Sequence, residues 1–298
     1  MPLAVLDPAP AAEPPLEPAT RDPGDLPVGE ASRRRALPGH LVLVALAVFA
    51  VFPIYWMYAT SLRRPGDVLD VSPLPWPLSG ANYEYVLKAI PIAKMLLNTF
   101  LVAASTSVLQ LLVALLAAYA FVAWTFPGRK LLYLLFVGAW LVPFQVTMIP
   151  NYVYLSQLGL LNALAGVVVP TVCSTMAIML LRQHLQAFPT ELLDASRMDG
   201  RSSWLTLWTV VVPNLRPALA SLTILLFISA WNDYFWPALV LQRTDSVVQI
   251  GVRGFLSAEG DNWGAVMAAS GIACLPIFAL YLFLQRQVMD AFVRSGLR

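Results

Sequence analysis

The chain has 298 residues, 58% of them hydrophobic and only 12% charged, with a net charge of +2. Soluble domains lie nearer about 45–50% apolar and about 25% charged, so an ordinary soluble domain is excluded, and the small charge gives no footing for nucleic acid. His40 and His184 stand far apart and no ligand-spaced cluster occurs, so no metal site is expected.

Residues 1–38 hold nine of the 24 prolines, many alanines and several acids, without an apolar period. Such a segment cannot bury enough surface to fold, and it is read as a disordered tail. It does not resemble a secretory signal, because no apolar core closely follows Met1. A span needs about 20 apolar residues. Six runs qualify, at 41–61, 95–123, 131–152, 163–181, 218–241 and 266–284. The expected fold is therefore an all-α integral membrane bundle of six transmembrane helices within 39–290, closed by a short tail at 291–298. Pro53, Pro143 and Pro276 are expected inside helices, since neighbours in a bilayer can satisfy the freed carbonyls. Cys173 and Cys274 fall in apolar runs and are read as buried structural thiols rather than a disulfide.

Basic residues set the orientation. With both termini inside, only Arg63, Arg64, Lys88, Lys94, Arg243 and Arg253 of the 19 Lys and Arg fall outside. The bias predicts a multi-pass protein of the cell membrane with cytoplasmic N- and C-termini.

Between the fourth and fifth runs, on the cytoplasmic side, stands one polar insertion at 189–217, PTELLDASRMDGRSSWLTLWTVVVPNLRP. Pro189 and Thr190 suit a helix start, with Glu191 and Asp194 near its positive end. Gly200 suits a left-handed C-cap, and Asp199 could fix the turn through nearby amides. Ser202 or Ser203 can cap a second helix that Pro213 ends. Trp204, Leu207, Trp208 and Val211 recur at helical spacing and predict one apolar face. An interfacial hairpin packed on its own bundle fits this pattern as well as a docking element does.

The stretch Asp194-Ala195-Ser196-Arg197-Met198-Asp199-Gly200, with Pro213 thirteen residues on, resembles the coupling motif of ABC importer permeases: Glu-Ala-Ala, two variable residues, Asp-Gly, then a distant Pro. Asp194 stands for the family's Glu and Ser196 for its second Ala. AAYAFVAWTFPGRK, MIPNYVYLSQLGLLNALAGVVVP, LLRQHLQAFPTELLDASRMDG and WNDYFWP are similar, in order, to segments of carbohydrate-uptake permeases of the maltose and glycerophosphate type. The resemblance implies a non-catalytic permease subunit that works by alternating access. It implies heterodimer formation with a second permease, two ATP-binding subunits and an extracytoplasmic solute-binding protein. It puts Asp194, Ala195, Ser196, Met198, Asp199, Gly200 and Trp204 at the ATPase contact. ATP and magnesium would sit on the partner subunits, with no cofactor in this chain.

Missing motifs agree. No G-x-x-x-x-G-K-[ST] loop and no G-x-S-x-G elbow occur. The alternative reading is a secondary carrier or channel independent of ATP. Polar side chains in spans are the candidate solute pathway: Asn98, Ser105, Gln110, Gln145, Asn232 and Asp233, with Trp231, Tyr234 and Trp236 as sugar-stacking aromatics or an interfacial belt.

Overall fold

The computed structural model describes residues 30–257 and 260–296; residues 1–29 of the expected tail lie outside the described residues. The chain divides after Pro53. The described part of the first unit is wholly helical, the opening stretch of α1 (Glu30–Ser61). That helix starts inside the segment expected to be tail. The last helix likewise runs through Gly296, into the expected 291–298 tail.

The second unit holds the remaining elements. They are α2 (Ala81–Ala89), α3 (Ile92–Ala123), α4 (Arg129–Trp140), α5 (Phe144–Gln157), α6 (Leu164–Val168), α7 (Thr175–Gln186), α8 (Thr190–Met198), α9 (Ser203–Thr206), α10 (Val212–Asn214), α11 (Arg216–Trp231), α12 (Phe235–Val240), α13 (Val248–Arg253) and α14 (Trp263–Gly296). A two-stranded antiparallel hairpin, Leu256–Ser257 with Gly260–Asp261, precedes α14. Among the described residues, Gly39–Ser61, Ile92–Ala123 and Trp263–Phe283 are each long and apolar enough to cross a membrane, and three bent helix pairs raise the number to as many as six if each pair counts as one span.

The bends correct the expectation of uninterrupted spans. The run at 131–152 breaks between α4 and α5, whose axes diverge by 94°. Pro143 is the N-cap of α5, where its missing amide costs no helix bond, and is not inside a helix. Pro53 and Pro276 do lie within helices. The fourth run breaks by 46°, and Ser174 restarts it by accepting from the Ala177 amide at 3.3 Å. The fifth stops at Trp231 and resumes at Phe235. Cys173 and Cys274 are free and exposed, not buried; Cys173 lies in the break ahead of α7 and Cys274 within α14.

α3 is the axis of the second unit, packed along α7 and α11. Ala103, Ala114 and Ala118 are fully buried on it, and such small side chains let neighbouring helices approach closely. Toward its C-terminal end, Leu115, Tyr119 and Phe121 pack with Ile178, Leu181 and Leu185 of α7 and with Leu193, Leu207 and Val211 of the polar insertion. Toward its N-terminal end, Ile92 and Met95 pack with Val86, Val248, Ala265 and Ala268.

One close contact holds α14 near this end of α3. A Cβ on Gly264 would collide with the Asn82 amide, whose Nδ2 donates to the carbonyls of Ser61 at 3.0 Å and Arg63 at 2.8 Å. Gly264→Ala should therefore lower stability by about 1–3 kcal/mol, as overpacking and lost buried bonds do. Thermal unfolding in detergent measures it. In an Asn82→Ala background the same substitution should cost clearly less; equal costs in both backgrounds would contradict the contact.

Candidate functional site

The polar insertion is a helical hairpin. α8 ends in a Schellman turn: the Gly200 amide donates to the Arg197 carbonyl at 3.0 Å and the Arg201 amide to the Ser196 carbonyl at 3.2 Å. Gly200 takes φ +72°, the left-handed conformation its position predicts. Asp199 does not close this turn; its carboxylate lies 3.8 Å from Arg201 Nε, and the backbone makes the two closing bonds. Ser202 caps the second helix by accepting from the Leu205 amide at 3.3 Å. That helix passes through a π-helical turn at Leu207–Val211 and continues past Pro213 to Asn214.

The predicted apolar face divides in two. Leu207 and Val211 are buried against the bundle. Trp204 and Trp208 point outward and meet edge-to-face, with ring centroids 5.5 Å apart. Ser196, expected to let a partner approach, turns inward: its hydroxyl is 2.6 Å from that of Thr206, and the pair is buried. Of the residues expected at a partner contact, Asp194, Ala195, Met198, Asp199, Gly200 and Trp204 are exposed, alongside Leu192 and Leu205. Met198 is 89% exposed, on an element otherwise rich in polar groups.

Three bonds fix the hairpin. Arg197 spans from Asp194 (2.9 Å) to the Ala123 carbonyl at the end of α3 (2.9 Å). The Tyr119 hydroxyl, also on α3, donates to the Ser203 carbonyl at 3.1 Å. Both arms of the hairpin are thereby tied to the same helix. Sequence reading singled out neither Tyr119 nor the Arg197 contact, because each joins residues more than seventy positions apart.

Farther along α3 lies a cavity of about 300 Å³, lined by Val102, Thr106 and Gln110 of α3, Phe144, Val167, Thr171, and Leu226, Ser229, Ala230 and Asp233 at the end of α11. Of the polar residues expected along a pathway, Asp233 and Gln110 line it. Gln110 donates to the Thr171 carbonyl at 2.6 Å, and the amides of Trp236 and Phe235 face the Asp233 carboxylate. The others lie elsewhere. Asn98 ties α3 to the Ser246 carbonyl at 2.7 Å. Asn232 bonds its own helix at Ile228, 2.9 Å away, Ser105 bonds its own at Leu101, and Gln145 is exposed. Trp231 and Trp236 are buried, so they form no interfacial belt; Trp236 meets Phe144 edge-on at 5.5 Å. Thr106, Thr171 and Ser229 were missed, their small hydroxyls being inconspicuous in apolar runs.

Apolar helices carrying a polar hairpin tied to α3, the same helix that lines a partly polar cavity farther along, fit a transport component of a membrane. Residues 110–293 match the family model for the binding-protein-dependent transport system inner membrane component, and the chain belongs to that family. It is 30% identical over 267 residues to the sn-glycerol-3-phosphate transport system permease protein of Yersinia pestis, covering 86% of this chain and 95% of that one. It is 28% identical to the arabinooligosaccharides transport system permease protein of Bacillus subtilis, covering 87% and 94%. The lactose transport system permease protein of Rhizobium radiobacter is 29% identical, covering 88% and 97%. A solved bacterial ABC transporter involved in the import of the acidic polysaccharide alginate shares the fold, with a TM-score of 0.74 at 23% identity over 87% of this chain and 98% of that one. The chain is thus a multi-pass, non-catalytic permease component that works with other transporter subunits.

Gly200 tests the hairpin directly. Open space surrounds an added Cβ there, so the penalty comes from backbone conformation alone. Gly200→Val should destabilise the turn by about 1 kcal/mol or more, seen as faster amide exchange across 196–206 with the exchange of α3 and α11 unchanged. Gly200→Asn should be milder, since Asn tolerates the left-handed region. Equal exchange in Val, Asn and parent proteins would contradict the turn.

Proposed function

We propose that this chain is the smaller permease of an ATP-driven importer for a carbohydrate-type solute, with the 190–214 hairpin as its coupling element. The carrying observation is the double tie of the hairpin to α3 through Arg197 and Tyr119. An element that docks a motor must be compact, rigidly turned and mechanically joined to what it moves. The Schellman turn supplies rigidity, and the outward Ala195, Met198 and Trp204 supply a surface for a soluble partner.

In this reading the chain pairs with a second permease, two ATP-binding subunits and an extracytoplasmic solute-binding protein. Its termini and hairpin face the cytoplasm. ATP and magnesium are held by the partner ATPases. Closure of those subunits pushes the hairpin, and α3 carries the movement to the cavity wall at Gln110 and Thr106. From Gln110 to Ala123 is roughly 20 Å along the helix. The named relatives transport glycerol phosphate or sugars, which supports a hydroxylated solute. In the cavity, Asp233 would accept from solute hydroxyls and Phe144 would offer an aromatic wall.

Ala195→Trp should overpack the docking face by roughly 1–3 kcal/mol, reducing solute-stimulated ATP hydrolysis about 5–150-fold in coupling terms, while membrane insertion persists. Pull-down of the ATPase and turnover with loaded binding protein measure this. Normal assembly together with normal stimulation sinks the coupling assignment. Separately, Asp233→Asn keeps the shape and removes the charge; uptake per assembled complex should fall. Unchanged uptake per complex takes Asp233 out of the pathway.

A further inference from the structure

The connection between α1 and α2 is irregular, apolar and exposed, yet much of its backbone is occupied. Residues 71–83 contain no charged side chain. Leu69, Val71, Leu74, Trp76 and Leu78 all stand outward, Trp76 at 84% exposure. Free in water, such a run would be an unexplained apolar patch.

The segment is pinned from within. The buried Arg63 donates through Nη1 to the Asp70 carbonyl and through Nη2 to the Ser72 carbonyl, with its guanidinium 5.2 Å from the Trp56 ring centre. The Tyr55 hydroxyl donates to the Pro73 carbonyl. The Trp76 amide donates to the Leu74 carbonyl at 3.0 Å, and the Ser79 amide to the Leu62 carbonyl at 2.8 Å. Pro73, Pro75 and Pro77 have no amide to satisfy. An irregular chain can approach hydrocarbon only when its polar backbone groups are met by protein or absent. Proline at alternate positions and an arginine gripping carbonyls meet that condition.

The direction of the fold-back matters as much. Tyr55 lies six residues before the end of α1, roughly 9 Å back along the helix. Bonding Pro73 to Tyr55 therefore brings the connection down beside the last turns of α1. The headgroup zone is about 5–8 Å deep on each side. Ile54 and Tyr55 are themselves exposed on α1, so the outward side chains of 71–78 continue an apolar surface that begins on a spanning helix. The charged Arg64, Asp67 and Asp70 are exposed and all precede the uncharged run.

We propose that residues 71–78 form an interfacial strap, seated in the headgroup layer of the bilayer with Leu74, Trp76 and Leu78 at the acyl boundary. Its partner is a lipid surface. Trp at the interface and proline-limited amide demand both suit that layer. The strap would fix the depth of the last turns of α1, residues 54–61.

The test uses the full transporter complex in nanodiscs of phosphatidylethanolamine and phosphatidylglycerol, with Cys173 and Cys274 replaced by Ser. Nitroxides are placed singly at positions 74 and 78, with position 67 as a water-facing control. Oxygen should relax the labels at 74 and 78 several-fold more, relative to a water-soluble nickel chelate, than the label at 67. Brominated lipids should quench tryptophan emission less in unlabelled Trp76→Phe than in the parent. Nickel access at 74 and 78 equal to that at 67 would place the strap in water or against the binding protein and overturn the proposal. Exclusion of both reagents would bury it against another protein chain, such as the second permease, and would overturn it too. Because the quenching arm needs no label, it also shows whether the cysteines displaced the strap.

Discussion

The close approach of helices along α3 is the constraint on which the second unit depends. Between helices in lipid there is little hydrophobic driving force, so contact area and backbone proximity decide association. Ala103, Ala114 and Ala118, all fully buried, give α3 that proximity to α7 and α11. With the axis set, the neighbours can be discontinuous. α4 and α5 bend away from each other by 94°, and α11 stops at Trp231; backbone turn bonds from the Leu141 and Val142 amides at the first break, and the Gln249 side chain on the Trp231 carbonyl at the second, take over bonds that a straight helix would make for itself.

The hairpin shows how a polar element is held on an apolar body. Its core is buried Leu193, Leu207 and Val211, continuous with the cluster around Tyr119 and Phe121. Its polar contacts lie at the margins, where Arg197 and Tyr119 reach backbone oxygens. Ser196 and Thr206 share one buried hydrogen bond between the two arms. Ala195 and Met198, on the outward surface, take part in none of these bonds.

Local chemistry was legible in the sequence, and long-range geometry was not. Gly200 after a short helix, Ser202 ahead of the next, and the apolar runs at 41–61 and 95–123 all carry signals within a few residues, and the structure places them as read. The break at Pro143 was hidden because composition stays apolar across a bend. The cavity was only partly legible. A polar group within a span must find a partner, but sequence does not say which: Asn98 found the Ser246 carbonyl, Asn232 its own helix, and Asp233 the Trp236 and Phe235 amides at the cavity wall. The Trp204-to-Val211 periodicity fixed a helical repeat but could not divide it between an inward pair and an outward pair.

α3 meets the hairpin at Ala123, the cavity at Thr106 and Gln110, and the loop ahead of α13 at Asn98 and Thr99, whose hydroxyl receives the Val248 amide at 3.0 Å. Three regions therefore share one continuous helix of 32 residues. Coupling free energy between two sites is reciprocal. Under the proposed coupling role, whatever bias a motor imposes on the far end of α3 is matched by an equal bias that occupancy of the far end imposes on the motor. The same rod would then report the arrival of a loaded binding protein to the ATPases.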